Sequence, residues 1–156
     1  MLAATSRLLL KAVQPAIARS STAAAVTASR NYSIASSSNQ TTVLDFEKHC
    51  EESLHKITDY LDTLPEWLDC HSEFDVNYAM GVITAKISPE VGTYVINKQS
   101  PNLQIWLSSP ISGPKRYDMQ GSKWVYSHDS VPLDELLTKE FRSIFKTDKI
   151  DFSEHI

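Results

Sequence analysis

No aspartate or glutamate occurs in the first 44 of the 156 residues; the first acidic side chain is Asp45, and all nineteen lie from there onward. That absence excludes one uniform domain. The carboxylate-free front carries Arg7, Lys11, Arg19 and Arg30 among many Ser and Ala residues, the composition of an organellar transit peptide rather than a folded unit. A run long enough to span a membrane is also missing, because the most apolar stretch of this part, Leu8-Leu9-Leu10, stops at Lys11 and about 20 apolar residues are needed. Cysteine is scarce. Cys50 and Cys70 stand in neither a C-x-x-C nor a zinc-finger spacing, which excludes a disulfide framework and leaves a small core residue and a loop thiol. No G-x-G-x-x-G, Walker loop, H-E-x-x-H or G-x-S-x-G is present, so nucleotide-binding, zinc-protease and serine-hydrolase readings lack their signatures. Ser127-His128-Asp129 does not supply a triad, since neighbours in an extended chain point to opposite faces.

What is there begins with an address. Basic residues spaced along Leu2 to Ile17 suit an amphipathic helix with a cationic face, and Arg30-Asn31-Tyr32-Ser33 resembles a matrix-protease cleavage pattern. Residues 1–32 are expected to be a mitochondrial transit peptide, 33–42 a flexible segment and 43–156 one folded domain in the mitochondrial matrix. From residue 33 onward eleven basic residues face nineteen acidic ones, a formal charge of −8. This opposes phosphate binding, so no nucleic-acid partner is expected; no membrane association is expected either. Residues 45–75 hold ten acids against Lys48 and Lys56, whereas residues 76–156 hold nine of each sign. A pronounced charge dipole follows.

Thr42 and Asp45 resemble an N-cap and capping-box pair. Beyond them Phe46, Cys50, Leu54, Ile57, Leu61, Leu64 and Leu68 recur at steps of three or four, the stripe of a helix buried on one side. Pro65 is expected to end or kink this helix near Leu64, leaving Glu66 to Ser72 irregular. Between Glu73 and Ser127, β-branched and aromatic runs alternate with turn residues. They read as antiparallel strands over Glu73–Met80, Val82–Ile87, Thr93–Asn97, Leu103–Leu107, Pro114–Met119 and Lys123–Ser127. Pro132 opens a second stripe through Leu133, Leu136, Leu137, Phe141, Ile144 and Phe145. The order predicts an α+β, two-layer α-β sandwich, with N- and C-terminal helices on one face of a five- to six-stranded antiparallel sheet.

Two displays of side chains suggest chemistry. Glu47, Glu51, His55, Asp59, Asp62 and Glu66 fall on the helix side opposite the apolar stripe, where like charges at helical spacing repel by a few tenths of a kcal/mol per pair. Strand alternation adds Glu73 and Asp75 to that ridge. Exposed oxygen ligands suit hard cations such as iron in either oxidation state. The alternative is a solvated helix face; His55 is a better nitrogen ligand than His49, which lies near the apolar boundary. The second display is Asn97-Lys98-Gln99, Gln104-Ile105-Trp106 and Lys115-Arg116. If Leu103, Ile105 and Leu107 face the helices, Gln104 and Trp106 face outward, and an exposed Trp among polar and cationic neighbours has the character of a protein-binding hot spot. The alternative is a Trp106 packed inward.

These blocks, above all Gly92 to Gln99, Gln104 to Pro110, Ser112 to Asp118 and Trp124 to Asp129, resemble the eukaryotic mitochondrial frataxin family from about Leu44 to about Ile150. The resemblance implies weak binding of iron (Fe2+/Fe3+) on an acidic ridge, matched here by Glu47, Glu51, Glu52, Asp59, Asp62, Glu66, Glu73 and Asp75. It also implies docking to the cysteine desulfurase and scaffold complex that builds iron-sulfur clusters, with Asn97, Gln99, Trp106 and Arg116 at matching positions. Thr63 and Pro65 depart from the family pattern. The expected role is an assembly factor and iron chaperone that stimulates sulfur transfer as a monomer. The rivals are a slow ferroxidase, with no buried di-iron constellation in view, and an iron-dependent storage oligomer. The chain ends soon after Phe152, so no long tail over the helix groove is expected.

Overall fold

The computed structural model describes residues 42–156. The expected transit peptide, its cleavage after Tyr32 and nearly all of the flexible segment lie outside the described residues. Helix α1 (Val43–Trp67) starts as its sequence requires: the Asp45 amide donates to Thr42 Oγ1 at 3.1 Å, while the Thr42 hydroxyl donates to the Asp45 carboxylate at 2.6 Å. Its stripe of Phe46, Cys50, Leu54, Ile57, Leu61 and Leu64 is at most 2% exposed, and each such burial stabilises by about 1.5–3 kcal/mol. The helix does not stop at Leu64. It runs through Pro65 to Trp67, and the Leu68 amide still donates to Leu64 O at 2.9 Å. A proline this close to a helix end forfeits a single main-chain bond, while burial of Leu64 holds the last turn down.

Six strands follow: β1 (Asp75–Ala79), β2 (Val82–Ser88), β3 (Gly92–Gln99), β4 (Gln104–Ser109), β5 (Gly113–Gln120) and β6 (Lys123–Tyr126). They form one antiparallel sheet in chain order. Glu73 is not in the first strand; it sits in the preceding turn with its amide on His71 Nδ1 at 3.0 Å. Met80 and Gly81 link β1 to β2 with φ of 53° and 78°, the geometry of a two-residue hairpin turn. Met80 is fully exposed. Leu103 also departs from the expected strand, because it adopts left-handed backbone (φ 53°) after a short 3-10 turn.

Helix α2 (Leu133–Phe145) follows Pro132 and joins α1 on the inner face. Ile83, Ala85, Tyr94, Ile96, Ile105, Leu107, Tyr117 and Trp124 supply the sheet's side of the core. Trp124 Nε1 donates to Ser53 Oγ at 2.9 Å and meets Phe46 edge-on. Across the other helix, Glu140 is buried and accepts from the Tyr94 and Ser109 hydroxyls at 2.7 and 2.6 Å. The helix groove is covered after all. Ile150 and Phe152 are fully buried, with Arg142 Nε donating to Ile150 O, the Phe152 amide to Thr138 Oγ1 and the Asp151 amide to the Tyr60 hydroxyl. The short segment from Lys146 through Phe152 suffices because alternate apolar side chains drop into the groove while its amides find side-chain acceptors.

Candidate functional site

The sheet's outer face carries the more ordered display. Core-facing Ile105 and Leu107 fix the parity of β4, so Gln104 and Trp106 point away from the helices. Register then builds a row: Asn97 pairs with Trp106 and Trp106 with Arg116, while Gln99, Gln104 and Asp118 form the next row. The indole is held from two sides. Its Nε1 donates to Gln104 Oε1 at 3.0 Å, Gln104 Nε2 donates to Asp118 Oδ1 at 2.8 Å, and the Arg116 guanidinium lies 4.6 Å over the ring. Beside it opens a groove of about 290 Å3 lined by Val95, Asn97, Trp106, Ser108, Pro114 and Arg116. A half-buried Trp in a fixed rotamer beside an apolar groove binds with little loss of side-chain entropy, which suits a protein partner.

Two expected members of this display leave their strands on the inner side, although Lys115 still borders the groove. Lys98 follows the inner parity of Tyr94 and Ile96 and reaches α1, donating to Glu47 at 2.8 Å and Glu51 at 3.2 Å. Lys115 shares the inner parity of Tyr117, its ammonium 4.5 Å from the Tyr126 ring centre and 3.8 Å from Asp129, so it stands on the opposite face of β5 from Arg116. Adjacent strand residues diverge in this way. Asp118, which orients Gln104, was not among the expected site residues; its i+2 spacing from Arg116 is the signal that places it on the outer face.

The acidic ridge is real but partly neutralised. Lys98 holds the Glu47 carboxyl below its usual range, through the direct hydrogen bond first, and Lys86 does the same to Glu73. Glu52, Asp59, Glu66 and Asp75 remain exposed. Partial burial, then Asp59 and Asp75, push the exposed Asp62 carboxyl upward. His55 meets the Tyr78 ring edge-on at 4.9 Å, and His49 Nδ1 lies 3.1 Å from Asp45 O instead of joining the ridge. Glu52 and His55 stand three residues apart, both open to solvent. Among the described residues no three acidic, His or Cys side chains converge on one metal position. Such a surface attracts cations diffusely and exchanges them readily.

The comparisons show the family and the fold. The frataxin-like domain model matches residues 39–147. The chain belongs to the frataxin family. It is 52% identical over 113 residues to the mitochondrial frataxin of Caenorhabditis elegans, covering 72% of this chain and 83% of that protein. It is 44% identical over 111 residues to the mitochondrial frataxin homolog of Drosophila melanogaster, covering 69% of this chain and 58% of the fly protein. Among solved structures, trimeric frataxin from the yeast Saccharomyces cerevisiae, complexed with ferrous iron, matches with a TM-score of 0.57 at 41% identity, covering 64% of this chain and 87% of that one. The frataxin fold, two helices on one face of a six-stranded antiparallel sheet, is thus the fold of this chain.

Proposed function

We propose that this frataxin-family protein is a mitochondrial iron-sulfur cluster assembly factor. It docks through the outer face of its sheet on the cysteine desulfurase-scaffold complex, stimulates sulfur transfer, and holds ferrous iron weakly along the α1 ridge in the matrix. The observation that carries this reading is the Trp106 row: an indole pre-positioned by Gln104 and Arg116 beside an apolar groove on a sheet face that neither α1 nor α2 covers. Buried aromatic anchors with such support contribute at least about 2 kcal/mol to an interface. The mitochondrial names of the relatives support the compartment, and the ferrous complex of the yeast neighbour supports iron as cargo. The ridge is dispersed and solvent-exposed, which favours loading and release over storage or rapid oxidation.

Desulfurase turnover in the reconstituted complex, with and without residues 33–156, tests this reading. Turnover should rise with the wild-type protein, and Trp106→Ala should need at least about 30 times more protein for the same stimulation while melting close to wild type. Equal stimulation by both would refute it. A second reading, an iron-dependent oligomer, is favoured by the trimeric state of the yeast neighbour; sedimentation with and without ferrous iron under anaerobic conditions distinguishes it.

A further inference from the structure

Next to the Trp106 groove, on the far side of Arg116, lies a second hollow of about 410 Å3 bordered by Gln104, Lys115, Arg116, Tyr126, Ser127 and His128. We propose that it receives a carboxylate side chain of the protein that docks on Trp106, which rests on the reading of the sheet face given above.

The chain is acidic overall, yet this hollow is bordered by two cationic side chains and an imidazole and by no carboxylate; Lys115 and Arg116 leave β5 on opposite faces, but both border the hollow because β5 runs past the end of β6 there and its edge is open. Tyr126 gathers them. Its ring has the Lys115 ammonium 4.5 Å from its centre and the His128 ring 5.0 Å away. The Lys115 side chain is only 15% exposed, so its charge is fixed in place and partly desolvated. Asp129 lies behind it at 3.8 Å, outside the lining, and its other oxygen accepts from the Val131 amide at 3.0 Å, which ties that carboxylate to the turn. Arg116 forms no ion pair among the described residues. Its guanidinium carbon lies 4.6 Å from the centre of the Trp106 ring, and a guanidinium held over a ring keeps N–H groups at its rim for a planar acceptor, to which its edge is matched. A carboxylate matches that edge, with Lys115 as a point charge and the Ser127 hydroxyl as a further donor. Arg116 and Pro114 line both the hollow and the groove, so an apolar segment seated on Trp106 places an adjacent acidic residue beside the basic group.

Titration of the desulfurase-scaffold complex with wild-type protein, Trp106→Ala, His128→Gln and the Lys115→Gln/His128→Gln double variant tests this, at low and high salt and with melting curves as folding controls. The double variant should bind on the order of tenfold more weakly at low salt, the fold-change usual for losing a partly desolvated charge partner. His128→Gln, at an exposed position, should lose about threefold without unfolding. High salt should shrink both losses but not that of Trp106→Ala. If Trp106→Ala weakens binding while both hollow variants bind as wild type, the inference fails and the sheet-docking reading stands. If Trp106→Ala also binds as wild type, the docking reading itself fails. Free citrate is the control for a small-molecule source: saturating NMR shifts at His128 with citrate, together with unchanged partner affinity of the double variant, would overturn the partner assignment in favour of a free polycarboxylate.

Discussion

Asp62→Asn should make the protein more stable at neutral pH. The Asp62 carboxyl is pushed upward by partial burial and then by Asp59, three residues away on α1, and by Asp75 at the start of β1. A like-charged pair at helical spacing destabilises by about 0.2–0.5 kcal/mol; a comparable contribution from Asp75 brings the total to about 0.5–1 kcal/mol. Asn and Asp have similar helix propensity, so the substitution isolates the charge. A gain of that size moves the melting temperature of a domain this long by roughly 2–6 °C. The pH dependence has a definite sign. A carboxyl whose folded value is raised binds more proton in the folded than in the unfolded state, so stability falls as pH rises from the unfolded value through the raised folded one. The penalty is complete above that window and absent below it. The advantage of Asp62→Asn should therefore be full at pH 7, smaller at pH 4.5, and reduced by added salt, which screens exposed charges over about 8 Å at physiological ionic strength. Urea melts of both proteins under these conditions supply the numbers, and anaerobic ferrous titration should show weaker binding by the variant. A variant that is less stable at pH 7, or whose gain does not vary with pH and salt, would refute the reasoning.

Glu140→Ala removes the acceptor for the buried Tyr94 and Ser109 hydroxyl protons and should cost about 2–5 kcal/mol in urea melts; Glu140→Gln, which keeps an acceptor oxygen, should cost much less, and equal losses would mean that shape rather than hydrogen bonding matters there. Phe152→Ala should cost about 3–5 kcal/mol, as for a fully buried aromatic, whereas a loss below about 1 kcal/mol would show that the tail is not seated in solution. Met80→Gly should raise stability by up to about 1 kcal/mol, because a left-handed backbone at a fully exposed residue suits glycine better than methionine; a lower melting temperature would contradict the turn assignment.

Periodicity carried most of the architecture. The stripe from Phe46 to Leu64, the strand alternation around Ile105 and Leu107, and the turn signals between strands are local properties, and the sheet order follows from short connections. The outward orientation of Trp106 was legible for the same reason. What the sequence did not reveal depends on distant partners. Lys98 sits between two outward-facing neighbours, and nothing local says that it crosses to Glu47 and Glu51. Lys115 and Arg116 look like one cationic pair until the pleat separates them. Glu140 lies in a stripe of polar and apolar residues whose burial is set by Tyr94 and Ser109, 46 and 31 residues earlier. Pro65 is a local breaker, but as a stop it is overridden by the burial of Leu64, a tertiary effect.

The seating of Ile150 and Phe152 against a helix that begins at Val43 has a consequence for how the chain is made. Tyr60 accepts from the Asp151 amide across 91 residues and packs edge-on against Phe152, so the first helix cannot complete its burial until Phe152 exists. The hairpins can pair as they emerge, because each closes a short loop. α1 waits. During synthesis or threading through a pore from the N-terminus, its apolar stripe stays without a finished cover until Ile150 and Phe152 are released. A stalled chain ending before Ile150 therefore leaves the groove beside Tyr60 open to proteases and chaperones, and Ile150 and Phe152 act as the latch that closes it.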